Sequence, residues 1–332
     1  MLLAAIFGVM GAAGLVFWLY KFDLDRARDA VIGGSQIVDT AAGPIEYAER
    51  GDGFPLLSIH GAGGGFDQGL ANVADLEAGS FRVIAPSRFG YLRTPLPTDA
   101  SAAAQADAHA ALLSKLNVDK VVIVGVSAGA RSAVELAIRH PSAVAALILL
   151  VPGIYSPTSP VSLASDRSSK FMVSLARAGG DFAWWAMRKL APGMLVRFVG
   201  VPPALLSGSP KSERDRVMHI VNAIEPLSLR FLGINADGAD HPRRLPLEEI
   251  AAPTLIISAQ DDLFNTAPAA RFAASRIPGA ELIVFETGGH LFVGRGAEVR
   301  AAVHALLARA DLTSPRRAAP AKVEEVNSRG AA

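Results

Sequence analysis

The chain of 332 residues contains no cysteine, which excludes disulfides, thiolate-bound zinc, iron–sulfur clusters and a cysteine nucleophile. It also has almost no net charge, because 32 Lys and Arg residues oppose 31 Asp and Glu residues. There is therefore no electrostatic reason to expect nucleic acid as a partner. We find no internal repeat, no phosphate-binding loop of the Walker type and no metal-ligand spacing, so no metal or organic cofactor is expected.

Charged residues are scarce, at 19% of the chain against 51% for hydrophobic residues, which is too apolar for a disordered protein. Residues 2–20 carry no charge, and a helix of this length spans about 28 Å, close to the hydrocarbon thickness of a bilayer. Phe17, Trp18 and Tyr20 at its end suit a membrane interface. The run predicts a membrane anchor, with a cleaved signal peptide or a buried soluble helix as alternatives.

The residues that flank this apolar run indicate whether it is cleaved and how it is oriented in a membrane. No Lys or Arg precedes it and no small-residue cleavage site follows it, which disfavours a signal peptide. Lys21, Arg26 and Arg28 follow the run, mixed with Asp23 and Asp25. By the positive-inside rule this excess of basic residues favours a cytoplasmic location for the rest of the chain.

Beyond residue 30, short apolar runs alternate with helical patterns. Strands are predicted at 35–39, 45–50, 55–59, 82–85, 120–126, 145–151, 254–259 and 281–285. Helices are predicted at 99–116, between Ser127 and His140, at 267–277 and at 297–310. This alternation predicts an α/β fold with a mostly parallel sheet covered by helices on both faces.

The pattern divides the chain into further segments. Residues 30–152 and 251–312 form the two parts of the predicted sheet domain. Between them, residues 153–250 lack a convincing strand and contain helical pieces around 170–190 and 213–232, which predicts a helical insertion. Residues 313–332 combine prolines and charges without periodicity and predict a disordered tail.

The sequence Gly125-Val-Ser-Ala-Gly129 joins a predicted strand to a predicted helix. A serine at such a corner is held in a strained conformation, and the flanking glycines let the strand and the helix approach each other. Its hydroxyl group projects at a helix N-terminus, where the dipole favours developing negative charge. Ser127 is therefore the candidate nucleophile, and a serine that only caps the helix is the alternative.

A serine nucleophile needs a base and a carboxylate that orients the base. Asp262 follows the strand predicted at 254–259, and His290 follows the strand predicted at 281–285. The carboxyl ends of parallel strands meet at one edge of a sheet, so these side chains are expected to lie near Ser127. Asp261 remains open as an alternative acid.

These motifs, in this order, resemble the α/β-hydrolase family over about residues 35–310. The family's acid commonly ends a Gly-x-x-Asp segment, a place that Ala259-Gln-Asp-Asp262 fills with Ala for Gly, so the resemblance selects Asp262. His60-Gly-Ala-Gly-Gly-Gly65 matches the family's oxyanion loop. The resemblance implies an oxyanion hole formed by the backbone N–H groups of Ala62 and Ala128, with Gly63 as a candidate third donor.

The glycine run has two other interpretations, a flexible turn and a phosphate-binding loop, and His60 is expected to brace the loop rather than to act as a base. One segment departs from the family pattern. Ser87-Arg-Phe-Gly-Tyr-Leu-Arg93 stands where the family often shows Asp-x-x-Gly-x-Gly, with serine for the aspartate and leucine for the second glycine. This departure puts the shape of a loop near the site, and therefore substrate access, in doubt.

The helical insertion resembles the family's cap in position. Its apolar side chains line an acyl pocket in one interpretation and only pack together in another: Phe182, Trp184, Trp185, Met187 and Met194. In a third interpretation the apolar cap lies against the bilayer and admits lipid-like esters. The remaining histidines are expected at the surface or at helix ends: His109, His140, His219, His241 and His304.

The resemblance implies a serine hydrolase without a cofactor, acting on carboxylic esters that are small molecules or lipid-like. Thioesterases, amidases, carbon–carbon hydrolases and perhydrolases share the same triad. Dehalogenases and epoxide hydrolases of this fold would have an aspartate nucleophile at this turn. The serine at this position therefore argues against those two chemistries. A non-catalytic binding protein on the same fold and a membrane-tethered interaction module that uses the tail are the competing classes.

Overall fold

The structure, a computed structural model, describes residues 1–74, 81–158, 174, 180–239 and 242–312. Three features predicted from the sequence lie outside these residues. They are the tail at 313–332, the first half of the helical piece around 170–190 apart from Ser174, and His241.

The described residues form one eight-stranded sheet with the order β1-β2-β4-β3-β5-β6-β7-β8. The strands are β1 (Gln36–Thr40), β2 (Gly43–Arg50), β3 (Phe54–Ile59), β4 (Phe81–Pro86), β5 (Val121–Val126), β6 (Val144–Leu150), β7 (Thr254–Ala259) and β8 (Glu281–Phe285). The pairs β1–β2 and β2–β4 are antiparallel, and the other neighbours are parallel. Each strand overlaps a predicted one, so the α/β fold with a mostly parallel sheet is confirmed.

Helices cover both faces of this sheet. The first are α1 (Leu2–Gly33), α2 (Phe66–Asn72), α3 (Ala102–Lys115) and α4 (Ala130–Arg139). After β6 come α5 (Asp181–Leu190), α6 (Pro192–Phe198), α7 (Pro203–Ser207), α8 (Lys211–Asn222) and α9 (Phe231–Ala239), and then α10 (Ala267–Arg276) and α11 (Gly296–Arg309). One face packs against α3, α4 and α10, and the other against α2, α11 and the end of α1. β6 is buried along its whole length, as its unbroken apolar sequence predicts.

Helices α5–α9 form the insertion between β6 and β7, and the described part of this stretch contains no strand. The insertion, which we call the cap, has an apolar cluster of its own that includes Trp184, Leu195 and Val217, all fully buried. It is therefore a second layer above the carboxyl ends of the strands, held partly by its own core.

Helix α1 does not end at Tyr20 but continues without a break to Gly33, over 32 residues. Its side chains from Ile6 to Leu19 are exposed, whereas Leu24 and Val31 are buried against the rest of the protein. Asp23 accepts hydrogen bonds from Trp185 Nε1 and Lys189 Nζ of the cap, each at 2.9 Å. The second part of α1 is thus packed into the folded domain, and only the first part lies free of it.

The segment Ile6–Gly33 is long and apolar enough to cross a membrane, by a test of length and composition that signal sequences also pass. The side chains from Ile6 to Leu19 are exposed, so the structure shows no burial of this part of the helix that would support the alternative of a buried soluble helix.

The prediction of a surface or helix-end position is wrong for His109, which faces the sheet from α3 and is fully buried. Its Nε2 lies 3.3 Å from Ser132 Oγ, and its Nδ1 is buried without a hydrogen-bond partner. Burial, together with the positive charge of Arg88, lowers the pKa of His109 to about 3. His140 lies at the end of α4 and His219 and His304 are exposed on helices, as expected.

The buried His109 predicts a stability that decreases in acid. The unfolded chain binds a proton on this side chain below an ordinary pKa of 6.5, whereas the folded chain binds it only near pH 3. Above pH 6.5 the histidine is neutral in both states, so its protonation does not change the free energy of unfolding. Below that pH the free energy of unfolding falls by about 1.4 kcal/mol for each pH unit. Urea unfolding at about pH 7 and about pH 5 measures this effect. Between these two pH values the free energy of unfolding should fall less in His109→Gln than in the wild type. His304→Gln, exposed on α11, is the control, and equal losses in both variants would contradict the assignment.

Candidate active site

Ser127 occupies the turn between β5 and α4 with a backbone φ of +52°, a strained value for a residue with a side chain. The flanking glycines leave no space for a Cβ atom. A Cβ on Gly125 would lie 2.5 Å from Ala133 Cβ, and one on Gly129 would lie 2.4 Å from the His60 carbonyl oxygen. Close packing between the strand, the helix and the His60 loop therefore forces this conformation on the serine.

His290 lies beyond β8, and its Nδ1 is 2.8 Å from Asp262 Oδ2. Asp262 is buried and also accepts hydrogen bonds from Thr266 Oγ1 and, at 2.9 Å, from the Phe264 N–H. The neighbouring Asp261 has a different contact, because its Oδ1 accepts the Gly289 N–H at 2.8 Å. The structure thus pairs Asp262 with the histidine and places Asp261 as a support for the histidine loop.

The cap holds the histidine loop from the other side through Gly200, which has a φ of +73°. The Gly200 carbonyl oxygen accepts the His290 N–H at 3.1 Å, and a Cβ on Gly200 would lie 2.6 Å from His290 Cβ. The sequence pattern gave no reason to single out this glycine, because its partner lies 90 residues away along the chain.

Ser127 and His290 line the same pocket, a cavity of about 90 Å³ beneath the cap. Its other walls are mostly apolar, and the described lining residues include no Lys or Arg: Gly61, Ala62, Gly63, Gln68, Asn72, Val126, Phe198, Val199, Ile220, Ile224, Ile234, Phe264 and Leu291. None of the five cap side chains considered for an acyl pocket lines this cavity. Trp184 and Met187 pack in the core of the cap, whereas Met194 is exposed. Phe182 and Trp185 instead contact Tyr20 of α1, with ring centroids 5.2 and 5.8 Å away.

The His60–Gly65 loop approaches the nucleophile through its backbone. A Cβ on Gly61 would lie 3.0 Å from Ser127 Cβ, and the Gly61 N–H donates to Gln68 Oε1 at 2.9 Å. The Gly63 N–H, the candidate third oxyanion donor, donates to Tyr91 Oη at 3.2 Å.

The two remaining candidate donors belong to the loop and to the nucleophile turn. The Ala62 N–H has no hydrogen-bond acceptor among the described residues. Ala128 follows Ser127 in a 3₁₀ turn that leads into α4, where backbone N–H groups have no partner within the helix. Ala62 lines the pocket that contains Ser127, Ala128 lies in the turn beside it, and an oxyanion hole needs two such backbone donors.

Arg88 braces the loop from behind. Its backbone N–H donates to His60 Nε2 and its Nε donates to the His60 carbonyl oxygen, each at 2.9 Å. Its guanidinium group pairs with both carboxylate oxygens of Asp237 at 2.6 and 2.8 Å. Asp237, on α9 of the cap, also accepts a hydrogen bond from Tyr91 Oη at 2.5 Å. The buried Asp237 carboxylate of the cap thus binds Arg88 and Tyr91, the two side chains that contact the His60–Gly65 loop.

The charges of this cluster reinforce each other. Burial alone would raise the pKa of Asp237, but the adjacent Arg88 guanidinium holds it below its ordinary value. Burial and the Asp237 carboxylate raise the pKa of Tyr91, so its hydroxyl stays protonated. Burial, with the charge of Arg88, holds the pKa of His60 well below its ordinary value. His60 is therefore a neutral bracing residue, as expected.

The segment that departs from the family pattern has a physical explanation. Ser87, in place of the aspartate, donates to Glu46 Oε2 at 2.7 Å, so a fully buried glutamate on β2 supplies the carboxylate. Glu46 also accepts Arg93 Nε at 2.7 Å. Leu92, in place of the second glycine, keeps the left-handed backbone with a φ of +52°, and its N–H donates to the Leu229 carbonyl oxygen of the cap at 2.8 Å. The loop keeps a glycine-like conformation because the cap holds it.

Residues 55–296 match the family model of the α/β hydrolase fold, and the chain belongs to this family. Over 245 residues it is 30% identical to a protein of Klebsiella pneumoniae named as a carbamate hydrolase, RutD, with 72% of this chain and 85% of the relative covered. It is 28% identical over 256 residues to the 2-hydroxy-6-oxononadienedioate/2-hydroxy-6-oxononatrienedioate hydrolase of Paraburkholderia xenovorans, covering 74% of this chain and 84% of the relative.

Among solved structures, a bacterial membrane phospholipase A is similar with a TM-score of 0.63. The likeness covers 93% of this chain and 98% of that structure at 22% sequence identity. An identity this low shows the shared fold alone. The family and its hydrolase activity are thus established by the family model and the two relatives, and the bond that is cleaved is a separate question.

The buried Arg88–Asp237 pair predicts a large effect of Asp237→Asn. This substitution leaves the arginine charge buried and unpaired, which should reduce the free energy of unfolding by about 3–5 kcal/mol. The control is Asp107→Asn, which removes an exposed ion pair to Arg139 and should cost about 0–1 kcal/mol. Urea unfolding of the two variants checks the comparison, and equal losses would contradict the bracing role.

Proposed function

We propose that the protein is a serine hydrolase of carboxylic esters that acts through Ser127, His290 and Asp262. The observation that carries this proposal is the hydrogen bond between His290 and Asp262 in a pocket that also contains the strained Ser127. Because Nδ1 of His290 is bound to Asp262, Nε2 is the nitrogen left to accept a proton from the serine.

The reaction follows from these positions. Ser127 Oγ attacks the acyl carbon while His290 takes the hydroxyl proton, and the Ala62 and Ala128 N–H groups stabilise the oxyanion. The proton passes from His290 to the alcohol oxygen as the alcohol leaves. A water molecule then attacks the acyl-enzyme and gives its proton to His290, and the acid is released as Ser127 regains a proton.

The walls of the pocket favour a neutral ester over the dicarboxylate that the name of the Paraburkholderia relative describes. A dicarboxylate substrate calls for Arg or Lys partners, and the described residues that line the pocket of about 90 Å³ at Ser127 include neither, although Arg50, Arg216 and Arg300 line a larger groove beside it. Carbamate hydrolysis is the second candidate, because the relative of that name is 30% identical and a carbamate carbonyl presents the same electrophile to Ser127.

The first part of α1 supports a membrane anchor in this proposal. It exposes large apolar side chains that include Phe7, Val16 and Phe17, and water would solvate them poorly. Lys21, Arg26 and Arg28 follow it and favour a cytoplasmic position for the catalytic domain. The pocket then faces an aqueous compartment while the cap lies close to the membrane surface.

A fluorophosphonate probe, which reacts with activated serines, tests the nucleophile. The full chain should be labelled, and Ser127→Ala should abolish labelling and lower the hydrolysis of p-nitrophenyl butyrate by about 10⁴-fold or more. Ser114→Ala, on the exposed face of α3, is the control and should behave as the wild type.

Persistent labelling of Ser127→Ala, or none of the wild type, would exclude the serine mechanism. The same assay with an aryl carbamate distinguishes the two candidate functions. Turnover of the carbamate well above that of the ester would replace the ester assignment with the second candidate.

Two truncations test the anchor and the boundary within α1. The chain of residues 20–332 should leave the membrane fraction and keep its melting temperature, because Tyr20, Asp23 and Leu24 keep their contacts with the folded domain. The chain of residues 34–332 should melt at a lower temperature, since it loses the buried Leu24 and Val31, each worth about 1.5–3 kcal/mol. The gene for the full chain should also be expressed and the purified protein weighed by mass spectrometry. A product that lacks residues 1–20 would show a cleaved signal peptide instead of an anchor.

A further inference from the structure

A groove of about 880 Å³ lies beside the pocket, on the face of the sheet between α2 and α11. Its volume is in the upper part of the range of about 300–1,000 Å³ typical of ligand sites. Apolar side chains of the sheet and of both helices lie at its base, most of them buried, and they include Leu70, Val124, Ile148 and Val299. Cap helix α8 forms another wall, and charged side chains that include Arg50, Glu213, Arg216 and Arg300 also line the groove. The groove therefore combines an apolar base with polar walls.

The groove and the pocket share part of their walls. Five residues line both: Asn72, Val126, Ile220, His290 and Leu291. Because the shared set includes His290, the groove and the pocket lie on either side of the same histidine loop.

The junction of the two cavities contains a polar group without a partner. Asn72 Nδ2 is buried and makes no hydrogen bond. An unpaired buried donor is costly unless a ligand oxygen completes it. A polar donor at the junction and an apolar wall beyond it suit a ligand with an oxygen-bearing head and a long apolar tail.

The groove also reaches the helix that we propose as the anchor. Gly34, which directly follows α1, is one of its lining residues. A Cβ on Gly34 would lie 3.1 Å from the ring of Phe66, so the end of α1 packs on the first residue of α2. The groove therefore lies against the end of α1 that is buried in the domain.

We propose that this groove binds the fatty acyl chain of a long-chain ester whose carbonyl carbon lies at Ser127. The proposal rests on the proposed function and names its substrate class. Each methylene buried in an apolar site strengthens binding by about fourfold, so a groove of this size gives long chains a large advantage over short ones.

Filling the groove tests the proposal. Val299 is half-buried on α11 and lines the groove but not the pocket, so Val299→Trp should obstruct the chain and leave the catalytic residues in place. In the full chain, kcat/KM for p-nitrophenyl palmitate should fall about tenfold or more, while kcat/KM for the butyrate ester stays within about twofold. Ala305→Trp adds the same side chain to the exposed face of α11 and should change neither value.

A loss of butyrate and palmitate hydrolysis to the same extent in Val299→Trp, with wild-type melting, would overturn the proposal while leaving the ester hydrolase intact. So would a wild type that shows no preference for palmitate over butyrate.

A second measurement does not depend on catalysis. Palmitic acid with a terminal diazirine should crosslink on irradiation to peptides of α2 and α11 in the wild type, and less in Val299→Trp than in Ala305→Trp. Crosslinks confined to the first part of α1 would overturn the acyl-chain assignment, even where the protein hydrolyses no ester.

Discussion

The close approach of three backbone segments around Ser127 is the constraint on which the rest of the site depends. Gly61 of the oxyanion loop, Gly129 of the nucleophile turn and Gly153 after β6 all lie where a Cβ would meet backbone or Ser127 atoms at 3.1 Å or less. The Gly153 N–H also donates to the Ser127 carbonyl oxygen at 2.9 Å. Packing of this kind leaves the serine no relaxed conformation, because its strained φ is imposed from three sides. The strain is thus maintained by the fold, and Ser127 is held in the pocket that His290 also lines.

Buried charge adds a second level of order to this packing. Glu46 fixes the segment from Ser87 to Arg93 from the side of the sheet, and Asp237 fixes Arg88 and Tyr91 from the side of the cap. A buried carboxylate is stable only with its partners in place, so each of these pairs specifies one arrangement of the loop. The cap therefore does more than cover the pocket. Through Asp237 and Gly200 it contacts both the oxyanion loop and the histidine loop, and a movement of the cap would change both sides of the site together.

The apolar residues of the chain serve four separate purposes. Strand side chains form the two clusters on the faces of the sheet, and the cap has a core of its own around Trp184. The first part of α1 exposes its apolar side chains, and the groove beside α11 has an apolar base of mostly buried side chains with charged side chains around it. Exposed apolar surface such as that of α1 is unusual in a soluble domain. The exposed part of α1 and the groove are separate features, because the groove contacts only Gly34 at the buried end of this helix.

The sequence by itself determined the fold class, all eight strands, the helical cap and the positions of Ser127, Asp262 and His290, because periodicity and glycine spacing are local signals. It also indicated that α1 is apolar, but the end of this helix at Gly33 depends on contacts of Asp23, Leu24 and Val31 with distant residues. Only the tertiary structure shows that His290 contacts Asp262 rather than Asp261, that the Gly63 N–H donates to Tyr91 and that His109 is buried. The same is true of Arg88 and Asp237, whose ion pair joins residues 149 positions apart. Such contacts have no local signature, since burial and partner choice are decided where separate elements meet.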